Sequence, residues 1–252
     1  MEKYFNITKD GFSVRSKIYC NSLDAVKRVV IYMHGFASNL DTGTASRFAS
    51  LLLKKNKDAA LISFNLPAHG GDALKLTLQN CKAYMELAAD YAKETFKTDK
   101  IYAFGTSFGG YLTLSLIYEN GSPFEKTALR SPAVNMHESL SQNILDQKSL
   151  KALKNNKPAS VGFGVKVKIT NSFLNELKEN DIRTLDFTPF SHDILIIHGT
   201  KDEIVPFEES KSFAEKNGIS FVPIDGADHR VTDPLKMDKA IKAIIDYFEF
   251  SS

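Results

Sequence analysis

Short apolar runs alternate with longer stretches of helical periodicity along most of the chain. Runs at residues 2–8, 12–19, 28–33, 59–65, 100–104, 126–129, 193–198 and 220–224 predict strands, several of them bounded by Gly, Pro or Asn. Val29-Val30-Ile31-Tyr32-Met33 and Ile194-Leu195-Ile196-Ile197 are continuously apolar, the pattern of parallel strands covered by helices on both faces. Residues 44–55, 78–96, 108–119, 206–216 and 234–248 predict helices. The last of these places Leu235, Ala240, Ile241, Ile244, Ile245 and Phe248 near the spacing of a buried helical stripe. Asp10-Gly11 between the first two runs predicts a hairpin. Strand and helix then alternate, which predicts an α/β sheet of about eight mostly parallel strands flanked by helices.

One segment breaks the alternation. Residues 134–188 separate two core strands by far more chain than a simple connection needs, and a loop of that length without structure of its own is uncommon. Leu140, Ile144, Leu145 and Leu153 give it a weak helical pattern. An alternating stretch, Val161 to Ile169, follows, with Val165, Val167 and Ile169 on one face, and then a helical piece near 173–179. The segment reads as an inserted cap on a core made of residues 1–133 and 189–252. Its lysines, Lys148, Lys151, Lys154, Lys157, Lys166 and Lys168, read as a solvated face; attraction to anionic substrates or a membrane surface is the sharper alternative.

Composition narrows the function classes. The 252 residues are 43% hydrophobic and 25% charged, as in an ordinary folded domain. A net charge of +2, from 32 basic against 30 acidic residues, is too balanced for a nucleic-acid binder. Cys20 and Cys81 form no CxxC pair, so a cysteine-built zinc site is not expected, and no HExxH spacing appears. Neither GxGxxG nor GxxxxGK[ST] is present, so no cofactor is expected. No apolar run approaches a membrane span, and residues 1–6 lack the apolar core of a signal peptide. The expectation is a cytoplasmic protein with a small-molecule partner; self-association as a homodimer is left open.

Four short motifs carry the chemistry. Gly105-Thr106-Ser107-Phe108-Gly109 lies between a predicted strand and a predicted helix. A turn that sharp strains its central residue, needs small neighbours, and leaves the serine hydroxyl exposed at the sheet edge, beside the N–H groups of a helix start. The plain alternative is a Gly-rich turn that happens to hold a serine. His34-Gly35-Phe36 follows the very apolar 29–33 run. There the Phe36 N–H, with that of Phe108, would form an oxyanion hole, while His34 itself reads as a buried structural residue. In His198-Gly199-Thr200-Lys201-Asp202-Glu203, Asp202 is the candidate orienting acid and Glu203 its rival. Gly226-Ala227-Asp228-His229 supplies a loop histidine as candidate base. His69 reads as structural at the cleft border, His137 and His192 as structural or exposed, and His198 as buried beside the acid loop.

These motifs, with Pro67-Ala68-His69-Gly70, occur in the order of the α/β-hydrolase superfamily, and the chain resembles that superfamily over essentially its whole length. It is most similar in look to bacterial serine carboxylesterases of the feruloyl (cinnamoyl) esterase and monoacylglycerol-lipase-like groups, compact enzymes with an inserted cap. The resemblance implies an α/β-hydrolase fold with Ser107 as nucleophile, His229 as base, Asp202 as acid, and Phe36 and Phe108 N–H groups as oxyanion donors. No metal-ligand spacing in the chain calls for a metal. Phe108 stands where many relatives carry Gln or Met, and Pro67-Ala68 where relatives often carry Arg-Gly. The implied activity is cleavage of esters of small to medium acyl or aromatic acids through an acyl-enzyme. Thioesterase, amidase or peptidase, and lipase chemistry use the same triad, and a non-catalytic ligand-binding relative is the remote alternative.

Overall fold

The computed structural model describes residues 1–9, 11–70, 74–162 and 165–249. Its strands and helices run β1 (Glu2–Lys9), β2 (Phe12–Cys20), β3 (Arg28–Met33), α1 (Gly43–Lys55), β4 (Ala59–Phe64), α2 (Leu78–Phe96), β5 (Ile101–Thr106), α3 (Phe108–Asn120) and β6 (Thr127–Arg130). They continue with α4 (Met136–Glu138), α5 (Gln147–Lys154), β7 (Ala159–Val161), β8 (Val167–Ile169), α6 (Asn171–Glu179), β9 (Ile194–Gly199), α7 (Phe207–Asn217), β10 (Ser220–Ile224) and α8 (Pro234–Tyr247).

Eight strands form the main sheet, in the order β1-β2-β4-β3-β5-β6-β9-β10. β1 and β2 pair antiparallel as a hairpin and β2 pairs antiparallel with β4; from β4 onward every pairing is parallel. Of the hairpin's Asp10-Gly11 turn, Gly11 takes φ 81°, a conformation glycine adopts without strain, and Asp10 lies outside the described residues. The continuously apolar runs are the central strands β3 and β9, buried nearly throughout because helices cover both faces. The sheet is the α/β-hydrolase fold.

Local chemistry starts and stops the helices. Thr42, Thr77, Asp146, Thr170 and Asp233 cap the N-termini of α1, α2, α5, α6 and α8 through their side chains, and Pro234 occupies the first turn of α8. Lys97 and Gly218 end α2 and α7 in the left-handed conformation. α3 has no polar face over its first ten residues, Phe108 to Ile117, and all of them are buried, so this helix sits in the body of the protein behind β5.

Leu235 departs from the expected α8 stripe. It is 81% exposed, whereas Ala240, Ile241, Ile244 and Ile245 are buried. At 3.6 residues per turn Leu235 falls roughly 150° from the centre of that stripe, on the solvent side. Phe248 is buried just past the helix end. His192 lies exposed in a 3-10 turn (Thr188–Asp193) that precedes β9.

Residues between β6 and β9 form a chain of short pieces. α4 runs into a π-helical turn (Ser139–Ile144), and α5 follows. The alternating stretch Val161 to Ile169 is divided: β7 and β8 pair antiparallel, and Gly162 turns the chain at φ 110°, with Phe163 and Gly164 outside the described residues. Leu140, Leu153, Val161, Phe173 and Phe187 join one apolar cluster with the sheet-side residues Tyr84, Phe108 and Leu112. Lys148, Lys151, Lys154, Lys157, Lys166 and Lys168 are exposed, the solvated face expected of them.

Gly109 carries the tightest backbone contact near the β5–α3 turn. A Cβ there would sit 2.4 Å from the Met33 carbonyl oxygen and 2.7 Å from that of His34, and backbone atoms cannot yield cheaply. Gly43, at the first turn of α1, has open space where its Cβ would be. Gly109→Ala is expected to lower unfolding stability by about 1–3 kcal/mol or more, while Gly43→Ala stays near neutral. Urea midpoints measure both; equal midpoints would show that the contact is not rigid.

Candidate active site

The carboxyl ends of β5, β9 and β10 bring three side chains together. Ser107 follows β5 with φ 52° and ψ −117°, a strained conformation for a residue with a Cβ. Gly105 and Gly109 make the turn possible: a Cβ at Gly105 would stand 2.9 Å from Gly110 Cα, and one at Gly109 would strike β3's end. The Ser107 hydroxyl is left facing the loop after β10, where His229 Nε2 lies 3.0 Å from Oγ and accepts its hydrogen bond. His229 Nδ1–H donates to Asp202 Oδ2 at 2.8 Å. The candidate acid, base and nucleophile are thus joined in one relay.

Asp202 is the most constrained member. Its side chain is fully buried, yet four donors surround it. Oδ1 accepts from the N–H groups of Ile204 and Val205 at 2.9 and 2.8 Å, and Oδ2 faces both His229 Nδ1 and His198 Nε2, the latter at 2.9 Å. Burial alone would raise its pKa, but the hydrogen bonds from His198 and His229 and the charge of His229 outweigh burial and hold the carboxyl well below the usual range. Glu203, the rival acid, is exposed.

The β3–α1 loop passes directly above the serine. A Cβ at Gly35 would stand 3.4 Å from Ser107 Cβ and 3.9 Å from its Oγ, so this backbone lies within van der Waals reach of the serine. Phe36 is partly buried next in this loop, and Phe108 opens α3, where the first helical N–H groups have no intrahelical partner. Two buried histidines brace the loop. His34 Nε2 accepts from Leu66 N–H at 3.1 Å and Nδ1–H donates to the Gly35 carbonyl at 2.8 Å. His69 Nε2 accepts from Ala37 N–H at 3.0 Å. Burial, with His69 adding to it, pushes the His34 pKa down to about 3, so this ring stays neutral. Both rings hold the loop backbone in place.

Aromatic rings and the 134–188 segment form the surroundings. Phe36 and Phe108 meet edge to face at 5.8 Å, and Phe173 of α6 packs edge-on against Phe108 at 6.2 Å. The β7–β8 turn reaches the same loop: a Cβ at Gly162 would stand 2.7 Å from Ala37 Cβ. A surface cavity of about 480 Å³ lies at the opposite, amino edge of the sheet, lined by Lys27, Arg28, Asp58, Lys100, Glu125 and Lys126 among others, away from Ser107, Asp202 and His229. Among the described residues no group of three or more His, Cys, Asp or Glu is placed to hold a metal, and no helix is long and apolar enough to cross a membrane.

Residues 75–250 match the model of the prolyl oligopeptidase family (Peptidase_S9). The chain belongs to this family. No curated protein sequence matches it. Solved structures share the fold of this prolyl oligopeptidase family member at low identity. Est1E from Butyrivibrio proteoclasticus with ferulic acid bound is 19% identical, with a TM-score of 0.74 over 96% of this chain and 98% of the other. A protein from Agrobacterium vitis S4 is 20% identical, with a TM-score of 0.75 over 99% of each. Alpha/beta hydrolase domain-containing protein 10 from mouse is 16% identical, with a TM-score of 0.70 over 97% of each.

Ser107, His229 and Asp202 come together as the motif order predicts, and Phe36 and Phe108 flank the serine. Two features escaped the sequence reading. One is Arg130, whose side chain is buried at the end of β6, with Nη1 donating to Thr44 Oγ1 at 3.0 Å and burial lowering its pKa. The other is the contact of His198 with the acid. The His198-Gly199…Asp202 spacing was visible; that the ring turns back onto the carboxylate was not.

The depressed Asp202 pKa ties stability to pH. The folded value lies below the unfolded carboxylate value of about 4, so this group's stabilisation is present above about pH 4 and is lost as pH falls toward the folded value. Unfolding free energies from urea titrations across the acid range should fall less steeply for Asp202→Asn than for the wild type. Parallel slopes would mean that Asp202 is not the linked group.

Proposed function

We propose that this chain is a serine hydrolase of carboxylic esters, acting on small to medium acyl or aromatic acids through an acyl-enzyme. The observation that carries the reading is the unbroken relay from the strained Ser107 through His229 to the buried Asp202. As Ser107 Oγ attacks the ester carbonyl, His229 Nε2 takes its proton. The oxyanion is met by the N–H groups of Phe36 and Phe108, fixed dipoles at a loop and a helix start. The imidazolium then gives its proton to the leaving alcohol. A water, deprotonated by the same nitrogen, attacks the acyl-serine and releases the acid, and Ser107 regains its hydrogen. Asp202 stays ionised throughout, holds Nδ1–H in place and stabilises the imidazolium.

The partly exposed Phe36 ring, backed by the buried rings of Phe108 and Phe173, favours an apolar or aromatic acyl group over a charged one. Similar folds include an esterase domain from Rhodothermus marinus, an esterase from Pyrococcus furiosus, and Est1E with ferulic acid bound. In this reading the 134–188 segment is the cap that roofs the acyl site. The family match favours a second reading, cleavage of peptide bonds by the same relay.

p-Nitrophenyl esters of two to twelve carbons, a methyl hydroxycinnamate and a proline nitroanilide discriminate these readings. Ester turnover without nitroanilide turnover is expected, and the reverse pattern would replace the esterase reading with the peptidase one. Ser107→Ala should lose a factor on the order of 10⁴–10⁶ in kcat. Asp202→Asn should lose on the order of 10³–10⁴, with Glu203→Gln within about threefold of wild type. Ser107→Ala within about tenfold of wild type would sink the assignment.

A further inference from the structure

His198 is the penultimate residue of β9, and no step above uses it. Its side chain is fully buried. Its Nε2 lies 3.1 Å from the Val205 carbonyl oxygen and 2.9 Å from Asp202 Oδ2. Both neighbours are acceptors, so the ring carries its hydrogen on Nε2, shared between them. The other nitrogen, Nδ1, is buried and makes no hydrogen bond among the described residues. An apolar side chain in this place would carry no such unmet polar atom. The Phe207 ring stands at 89° to the imidazole with centroids 5.8 Å apart, which restricts its rotation.

The geometry closes the acid loop as a clip. Asp202 Oδ1 folds back onto the N–H groups of Ile204 and Val205. The same Val205 returns its carbonyl to His198 Nε2, which also touches the other carboxylate oxygen. With Oδ1 committed to the loop backbone, Oδ2 has one direction left, toward His229 Nδ1. We propose that His198 is a positioning residue of the reaction, clamping the Asp202 carboxylate and the Val205 carbonyl so that Oδ2 meets His229. This inference rests on the ester-hydrolase reading above, and it assigns a role that acts only through Asp202.

The test is steady-state hydrolysis of p-nitrophenyl acetate by His198→Leu, His198→Gln, Asp202→Asn, the His198→Leu/Asp202→Asn double variant and Ser107→Ala, each with a thermal melt. His198→Leu removes the donor at similar volume. Glutamine carries an N–H at the equivalent distance from the backbone. His198→Leu is expected to lower kcat about tenfold to a hundredfold with KM within about twofold, because a misplaced acid disturbs geometry more than binding. His198→Gln is expected to recover most of that loss. In the Asp202→Asn background His198→Leu should change kcat by less than about twofold, since its route of action is already gone. Full additivity, or failure of glutamine to rescue a folded variant, would show packing rather than positioning and overturn the inference. The wild type gives an independent check that no misfolded variant can obscure. The ¹⁵N shifts of the His198 ring should show the Nε2–H tautomer, and the Nδ1–H tautomer would overturn the clamp. If Ser107→Ala keeps turnover, the ester-hydrolase reading falls and this inference with it. If Ser107→Ala is inactive while His198→Leu matches the wild type, this inference alone falls.

Discussion

The structure is organised by one close approach, that of the β5–α3 turn to the end of β3. Gly109 lies against the carbonyls of Met33 and His34 at a separation no side chain permits. Gly105 and Gly110 crowd the same turn from within, and Pro132 leaves no room for a Cβ at Gly110. This packing holds Ser107 at φ 52°, a conformation that costs on the order of 1–3 kcal/mol and persists only because its neighbours over-determine it. It also brings Gly35 over the serine, so one contact sets both the Ser107 hydroxyl and the backbone above it. α3 has to be apolar on every side because it is the wedge that keeps β5 and its turn in place.

Charge follows from burial in the same region. A fully buried carboxylate is costly unless every lone pair is met, and Asp202 meets that condition with two backbone N–H groups and two imidazoles. The result is an acid that stays ionised within hydrogen-bonding distance of the ring it orients. His34 shows the opposite outcome in similar burial: with carbonyl and N–H partners and no carboxylate beside it, it stays neutral and serves the loop rather than the chemistry.

Much of the sheet was legible because a parallel strand buried on both faces is written as an unbroken apolar run, and β3 and β9 are such runs. The meeting of Ser107, Asp202 and His229 was legible because each follows a strand, so order along the chain already places all three at one sheet edge. What escaped depends on contacts remote in sequence. Val161 to Ile169 alternates as one strand would, yet Gly162 turns the chain at φ 110° so that β7 and β8 pair antiparallel, with Gly162 packed close to the Val165 carbonyl and Ala37. Leu235 was counted into a stripe by hydrophobicity, while its angle around α8 puts it in solvent. The contact of His198 with Asp202 depends on a ring orientation set by Phe207 and by the closure of the acid loop, and no spacing encodes either.

The 134–188 segment is tied to the elements that carry the site. Arg183 binds Asp181 within the segment, Glu138 at its start and Glu209 on α7, the helix that follows the acid loop. Glu176 accepts from the Leu78 N–H at the start of α2, and Tyr111 of α3 donates to the Asn180 carbonyl. Asn143, in the π-helical turn, donates to the Ile204 carbonyl at 2.7 Å, and the N–H of that same residue is held by Asp202. Exposed ion pairs contribute little each, but a half-buried arginine shared by three carboxylates fixes a geometry rather than a single contact. The acid loop is therefore gripped from the sheet side by His198 and from the inserted side by Asn143. A change in the segment's position must alter the loop that presents Asp202, so under the proposed function the part of the chain that shapes the acyl site also bears on the residue that orients the base.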